Sequence, residues 1–218
     1  MTLTFAGGLD RGVLGRAVDA VADLVGSAEV AAAWSSPSSL PGMSVGGLSR
    51  HLVSQPECAV EFVSVAPPVG AEPVTLLEWA ERLDWLDAPI GAPENTSICA
   101  DFDAMAAGGP AESVEVLRRA SVDLPAALAA AAPTTWVPWQ ECSLALDDFL
   151  VCRLVEVVVH ADYLAVSVDL PTPRFDDEAV GPVLTLLTAL SARRHGPGPV
   201  LRALARTERA GSSVSAFG

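Results

Sequence analysis

The sequence predicts an all-α protein, a bundle of about four long helices with short accessory helices. Long stretches without proline or glycine carry apolar residues at helical spacing, and loops rich in proline and glycine separate them. Alternating patterns typical of β-strands are weak throughout. Of the 218 residues, 50% are hydrophobic, so the chain can bury a sizeable core.

The first two long helices follow from stripes of apolar residues. Residues 9–25 carry such a stripe and end at Gly26. Ser44 stands where a helix N-cap belongs and predicts a second helix over residues 45–64. Pro56 marks a kink or a break in that helix.

Residues 66–97 differ in composition from the segments around them. Two proline-rich loops flank a short amphipathic pattern over residues 75–86. We predict an excursion between main helices that packs Trp79 and Trp85 back onto the body of the protein.

A third long helix is predicted over residues 111–131, with a bend at Pro125. The loop that follows, residues 133–142, contains Trp136 and Trp139. These two side chains either wall a ligand cavity or cover the end of the bundle core.

The central helix is predicted over residues 144–168, a stretch that is apolar on almost every side. It contains Arg153, Glu156 and His160, and a buried carboxylate needs a partner or a metal ion. Glu156 and His160 are four residues apart and therefore share one face, the spacing at which one helix offers two ligands to a metal. The alternatives are a buried Glu–His hydrogen bond or an ion pair between Glu156 and Arg153.

The remainder of the chain predicts a fifth helix over residues 176–194 and a short basic helix over residues 200–209. The last eight residues are expected to be frayed. We therefore divide the chain into a bundle over residues 1–195 and a short C-terminal helix and tail over residues 196–218.

The composition excludes some partners. The net charge is −14, with 27 acidic and 13 basic residues, which argues against nucleic acid and anionic membranes. The 4 cysteines form no C-x-x-C pair, and we find no signal peptide or apolar run long enough to span a membrane. We expect a cytoplasmic protein with reduced thiols, and the use of arginine without lysine is typical of a high-GC bacterium.

A third metal ligand is expected, because catalytic zinc sites usually have three protein ligands and one open position. His195 lies in a Gly/Pro loop, where an exposed or capping role is expected. His51 lies within the second helix and would meet Glu156 and His160 if the second and fourth long helices face each other. The alternative is a core histidine with no ligand role.

Segments 40–52 and 153–164 together resemble the N-terminal domain of the mycothiol-dependent maleylpyruvate isomerases, which belongs to the DinB-like superfamily of metal-binding four-helix bundles. The second segment matches an Arg-x-x-Glu-x-x-x-His-x-Asp pattern. The resemblance covers roughly residues 9–195 and departs from the family at Met43 and Gly47.

The resemblance implies a DinB-like four-helix bundle in which His51, Glu156 and His160 bind Zn²⁺ or another divalent transition metal. Arg153 and Asp162 also match the family pattern. Arg153 would orient the Glu156 carboxylate or meet an anionic substrate, whereas Asp162 lies off the ligand face and would have a supporting role.

Three functions remain open at this point. The first, with mycothiol implied by the resemblance, is a thiol S-transferase or isomerase-like enzyme acting on a small electrophilic substrate. The second is a zinc hydrolase that uses metal-bound water. The third is a non-catalytic metal-binding bundle, for which Cys58 or Cys152 would supply a fourth ligand unless both are core cysteines. The oligomeric state is also open, with a homodimer as one option.

Overall fold

The structure is a computed structural model that describes residues 2–218. Its helices are α1 (Gly12–Val25), α2 (Ala28–Ala32), α3 (Val45–Phe62), α4 (Leu76–Ala80), α5 (Asp84–Asp87), α6 (Pro93–Met105), α7 (Pro110–Ala130), α8 (Leu146–Ser167), α9 (Asp177–His195) and α10 (Pro197–Ala205). Its strands are β1 (Pro73–Val74), β2 (Thr134–Val137) and β3 (Cys142–Ala145).

Helices α1, α3, α7 and α8 form the bundle, and the predicted fold class is confirmed. Both α1 and α3 pack against α7 and α8, so α1 and α3 occupy opposite corners of the bundle. Helix α9 lies on the outside against α8, α10 packs on α9, and α6 covers α3. No helix within residues 2–218 is both long enough and apolar enough to cross a membrane.

Helix α8 is the most enclosed element, as its apolar sequence predicts. Its side chains point into the core on several faces, and the largest fully buried ones are Leu146, Phe149, Leu150, Leu154 and Leu164. Burying each such side chain contributes about 1.5–3 kcal/mol, so α8 anchors the helices that surround it.

Helix α3 begins where the sequence predicts, because the Ser44 hydroxyl accepts a hydrogen bond from the backbone of its first turn. Pro56 lies inside the helix and does not end it. One turn earlier, the carbonyl oxygen of His51 accepts hydrogen bonds from the Ser54 hydroxyl at 2.7 Å and the Gln55 amide at 3.0 Å. The Ser54 and Gln55 side chains thus give the helix additional hydrogen-bond donors close to Pro56, which has no backbone N–H to donate.

A small sheet replaces most of the predicted loop over residues 133–142. Strand β3 lies in the centre, with β1 parallel to it on one side and β2 antiparallel on the other. The strands are two to four residues long and therefore too short to show an alternating pattern in the sequence.

The excursion at residues 66–97 contains more helix than predicted. The pattern over residues 75–86 is divided between α4 and α5, and α4 begins with a capping box formed by Thr75 and Glu78. Helix α6 begins at Pro93, inside a stretch that we expected to be a loop. Its course along α3 brings a third helix to the region of the predicted metal ligands.

The last eight residues are not frayed, and that expectation is wrong for the described structure. The Ser191 hydroxyl donates a hydrogen bond to the Val214 carbonyl at 2.5 Å, and His195 Nε2 lies 2.8 Å from the Ser215 carbonyl. The Gly218 amide donates to the Leu86 carbonyl at 3.0 Å. The segment thus returns from α10, crosses the end of α9 and reaches α5.

Candidate metal centre

The structure brings His51, Glu156 and His160 together. His51 projects from α3, and the other two project from one face of α8, one turn apart. Glu156 Oε2 lies 3.1 Å from His51 Nε2 and 3.2 Å from His160 Nδ1. One candidate ligand atom from each residue lies within 4.8 Å of the others.

Aromatic stacking and backbone contacts fix the two imidazole rings. The ring centroids of His51 and His160 are 4.3 Å apart, and the Phe102 ring of α6 lies 4.4 Å from His51. His160 Nδ1 lies 2.8 Å from the Glu156 carbonyl oxygen, which can only accept a hydrogen bond. The proton of neutral His160 therefore belongs on Nδ1, and Nε2 keeps the lone pair that a metal ion needs.

The electrostatics of the cluster favour an ionised carboxylate beside a neutral imidazole. Desolvation is the largest influence on Glu156 and raises its pKa, but hydrogen bonds and charges from both histidines together hold that pKa well below its ordinary value. Desolvation is also the main cause of the lowered pKa of His51, followed by the charge of His160. These are the protonation states in which both side chains bind a metal ion.

The donor set fits a divalent transition metal. Two imidazoles and one carboxylate match the ligands that zinc takes in catalytic sites. His51 Nδ1 is buried and has no hydrogen-bond partner within residues 2–218, whereas buried polar atoms normally have one. A histidine retained for core hydrogen bonding would use both nitrogen atoms, so this geometry favours the ligand role over the core alternative.

The three residues line a cavity of about 940 Å³. Helices α3, α6 and α8 form one side of it, and α4, α5 and the segment between β2 and β3 contribute to the other. Aromatic side chains supply much of the lining: Trp79, Trp85, Phe102, Trp139, Tyr163 and Phe217. A cavity of this size has room for a small-molecule ligand next to the three side chains.

A family model described as the mycothiol maleylpyruvate isomerase N-terminal domain matches residues 14–165. The matched region is more than half of the chain and includes His51, Glu156 and His160. The chain belongs to this family. Comparisons with curated proteins and with solved structures found no match.

Two further residues of the family motif occupy different environments. Arg153 lines the cavity, where its Nη1 donates a hydrogen bond to Gln55 Oε1 at 2.7 Å. Arg153 forms no ion pair with Glu156, so that alternative is wrong. Asp162 is exposed and accepts a hydrogen bond from Thr172 at 2.5 Å, and its supporting role stays a prediction.

The cysteines do not join the cluster. Cys152 is buried in the core, and burial raises the pKa of its thiol. Cys58 lines the cavity, where desolvation also raises its pKa. Neither belongs to the group of candidate ligand atoms within residues 2–218. The geometry therefore favours a three-residue ligand set with a cavity above it.

The remaining site predictions have mixed outcomes. His195 is the last residue of α9 and not part of the loop that we expected, and its Nε2 contacts the Ser215 carbonyl of the C-terminal segment. It does not belong to the group of candidate ligands found within residues 2–218. Trp139 lines the cavity, with 54% of its surface exposed, whereas Trp136 lies in β2 and does not line it. Of the two tryptophans, only Trp139 is therefore part of the cavity wall.

Several residues of the site were not predicted from the sequence. Gln55 lies one turn after His51 on α3, so helical spacing alone could have placed it next to the cluster. Tyr163 lies one turn after His160 on α8, and its ring packs edge-on against that histidine at 5.9 Å. Phe102 and Phe217 carry no comparable signal, because they come from elements that we had not identified.

Proposed function

We propose that this chain is a metal-dependent enzyme that joins a thiol, mycothiol, to an electrophilic substrate, with S-transfer or isomerisation as the outcome. The observation that carries the proposal is the convergence of His51, Glu156 and His160 on the wall of a cavity of about 940 Å³. The name of the family supports mycothiol as the thiol. A non-catalytic bundle would not need a cavity next to its ligand set.

The metal ion is expected to be zinc. His51, Glu156 and His160 would hold the ion, which when bound would lower the pKa of an incoming thiol and so favour the reactive thiolate. The chain would contribute the ligand set, whose donor atoms are carried by two helices, α3 and α8. His160 is oriented by the hydrogen bond to the Glu156 carbonyl, and His51 by stacking on Phe102.

Arg153 is the group best placed to bind an oxygen atom of the electrophile. It has no carboxylate partner within residues 2–218, and its Nε is buried without a hydrogen-bond acceptor. Gln55 fixes its position, because the Gln55 side chain accepts from Arg153 and donates to the His51 carbonyl. A guanidinium held in this way binds a carboxylate or a polarised carbonyl group.

The aromatic lining limits the access of water. Trp79 is almost completely buried, and its indole N–H donates to Gln140, which also lines the cavity. Phe102 also lines the cavity, and its ring packs against His51. Excluding water strengthens electrostatic interactions at the site and favours attack by a thiolate over hydrolysis.

The proposal is tested with His51→Ala, Glu156→Gln and His160→Ala in protein purified without a histidine tag. The parent should contain about one equivalent of zinc, and each variant should lose it together with thiol transfer from mycothiol to monobromobimane. Glu29→Gln is the matched control, because it makes the same change as Glu156→Gln in an exposed carboxylate outside the cluster and the cavity, and it should keep both properties.

Two results would contradict the proposal. A parent protein that neither contains metal nor takes up added zinc would indicate a bundle held by the Glu–His hydrogen bonds alone. Turnover of an activated ester without any thiol, lost in the same three variants, would instead indicate a hydrolase.

A further inference from the structure

The C-terminal segment over residues 211–218 is attached to the outside of the site. Its anchors are the hydrogen bonds from Ser191 to Val214, between His195 and Ser215, and from Gly218 to Leu86. They connect the segment to α9 at one end and to α5 at the other. We refer to residues 211–218 as the C-terminal strap.

The strap delivers one large side chain to the cavity. Phe217 is partly buried, lines the cavity together with Trp85, and packs against that ring with a centroid distance of 5.9 Å. The same phenyl ring borders a small hollow that also reaches Glu156 and Cys152. Phe217 therefore borders both the cavity and the small hollow, each of which also includes Glu156 in its lining.

The backbone near Phe217 fits closely against its support. A side chain at Gly218 would collide with the carbonyl oxygen of Ala88, so the segment reaches its position because residue 218 is glycine. The preceding strap residues are mostly exposed and are held by only a few hydrogen bonds. Each such bond contributes only about 0.5–1.5 kcal/mol, so the strap is attached more weakly than the bundle helices are.

We infer that the C-terminal strap is a wall of the active cavity and that Phe217 determines the size of the molecules that reach it. A size limit on substrates rests on the proposed function, whereas a size limit on any molecule that enters the cavity does not. A phenyl ring held by a weakly attached segment excludes large groups while the strap is docked. Small groups pass without displacing it.

The rate at which Cys58 is alkylated measures access to the cavity and does not depend on enzyme activity. It lines the cavity and is partly exposed, whereas Cys99, Cys142 and Cys152 are buried. Its raised pKa means that little thiolate is present at neutral pH, so alkylation is measured at pH 8.5. Mass spectrometry locates the label, and the rates with iodoacetamide and with N-(1-pyrenyl)maleimide are compared.

In Phe217→Ala, labelling of Cys58 by the pyrenyl reagent should accelerate on the order of tenfold, equivalent to removal of about 1.4 kcal/mol from the barrier. Labelling by iodoacetamide should change little. Phe175→Ala is the matched control, since it removes a partly buried phenylalanine that does not line the cavity. Gly218→Val keeps Phe217 but should displace it, and should therefore accelerate pyrenyl labelling in the same way.

Equal pyrenyl rates in the parent, Phe217→Ala and Gly218→Val, with unchanged circular dichroism and melting temperature, would overturn the inference. So would equal acceleration with both reagents, because it would indicate general loosening and not a size limit. These outcomes are independent of zinc content and thiol transfer, so the inference and the proposed function can fail separately.

Discussion

Glu156 is the residue on which the geometry of the candidate metal centre depends. Only 13% of its side chain is exposed, and this burial raises its pKa, but His51 and His160 both face the same oxygen atom and hold the pKa well below its ordinary value. An ionised group buried to this extent persists only when its partners offset the cost of desolvation. The carboxylate thereby joins α3 to α8 at one point.

Arg153 leads to a prediction about the electrophile. Arg153→Met should raise KM for a carboxylate-bearing electrophile about 10- to 100-fold, because a hydrogen bond to a charged group contributes roughly 1.5–3 kcal/mol. The KM for a neutral electrophile of similar size, and the zinc content, should not change. Steady-state kinetics with the two substrates measures the difference.

Arg82→Met is the control for this prediction. Arg82 also lines the cavity, but it is exposed, and the Gln55 side chain bonds to Arg153 and not to Arg82. Its effect on either KM should be small. A similar rise for both substrates in Arg153→Met would show that the arginine supports the shape of the site and does not bind the carboxylate.

The sequence was informative about these residues to different degrees. Glu156 and His160 were recognisable because helical spacing places them on one face, and their position in an apolar stretch required partners. His51 needed the additional inference that α3 faces α8. The hydrogen-bond partner of Arg153 was not predictable, because the choice between Glu156 and Gln55 depends on the rotation of α3 relative to α8.

At the scale of single elements, α8 also fixes the beginning of the chain. Asp147, of which 3% of the side chain is exposed, accepts hydrogen bonds from the Gly7 amide and from Arg11, both at 2.7 Å. Asp148 accepts one from Thr4 at 2.8 Å. The first turn of α8 thus binds residues that precede α1, while the negative charge also suits the N-terminal end of a helix dipole.

Asp147→Asn should lower the free energy of unfolding by about 2 kcal/mol, because the amide loses the ion pair with Arg11 and presents a donor group to other donors. Urea denaturation measures the change. Asp23→Asn, which alters an exposed aspartate without a hydrogen bond on α1, should stay within about 0.5 kcal/mol of the parent. If Asp147→Asn lowered the free energy of unfolding no more than Asp23→Asn does, the hydrogen bonds of Asp147 would be no stronger than the bonds to water that replace them on unfolding.

The long elements were predictable and the short ones were not. Helices α1, α3, α7, α8 and α9 each carry enough turns for their apolar periodicity to show in the sequence. Helix α6 was missed because Pro93, Asn95 and Ser97 resemble a loop, although proline is well tolerated in the first turn of a helix. Strands β2 and β3 pair locally but are too short to show a pattern, and β1 pairs with β3 from far along the chain. The C-terminal strap is likewise defined by contacts with distant residues, for which local sequence holds no signal.

At the scale of the whole molecule, the candidate metal centre lies between two bundle helices that are far apart in sequence. A single ion there would connect residue 51 with residues 156 and 160, and so would close a loop of about half of the chain. The bundle core also packs α3 against α8. We therefore expect packing to pre-organise the site, so that binding of an ion would add stability to the folded bundle.

This arrangement predicts a zinc-dependent increase in melting temperature. An ion that binds only the folded state stabilises it by about 2.7 kcal/mol at a free concentration 100 times its Kd. For a chain of this size each kcal/mol raises Tm by about 2–4 °C, so zinc should raise Tm by about 5–11 °C over the EDTA-treated protein. Glu156→Gln should abolish the rise and His195→Ala should keep it, as measured by calorimetry. Because the surface carries a net charge of −14, an equal rise in Glu156→Gln would place the bound zinc on surface carboxylates and not between α3 and α8.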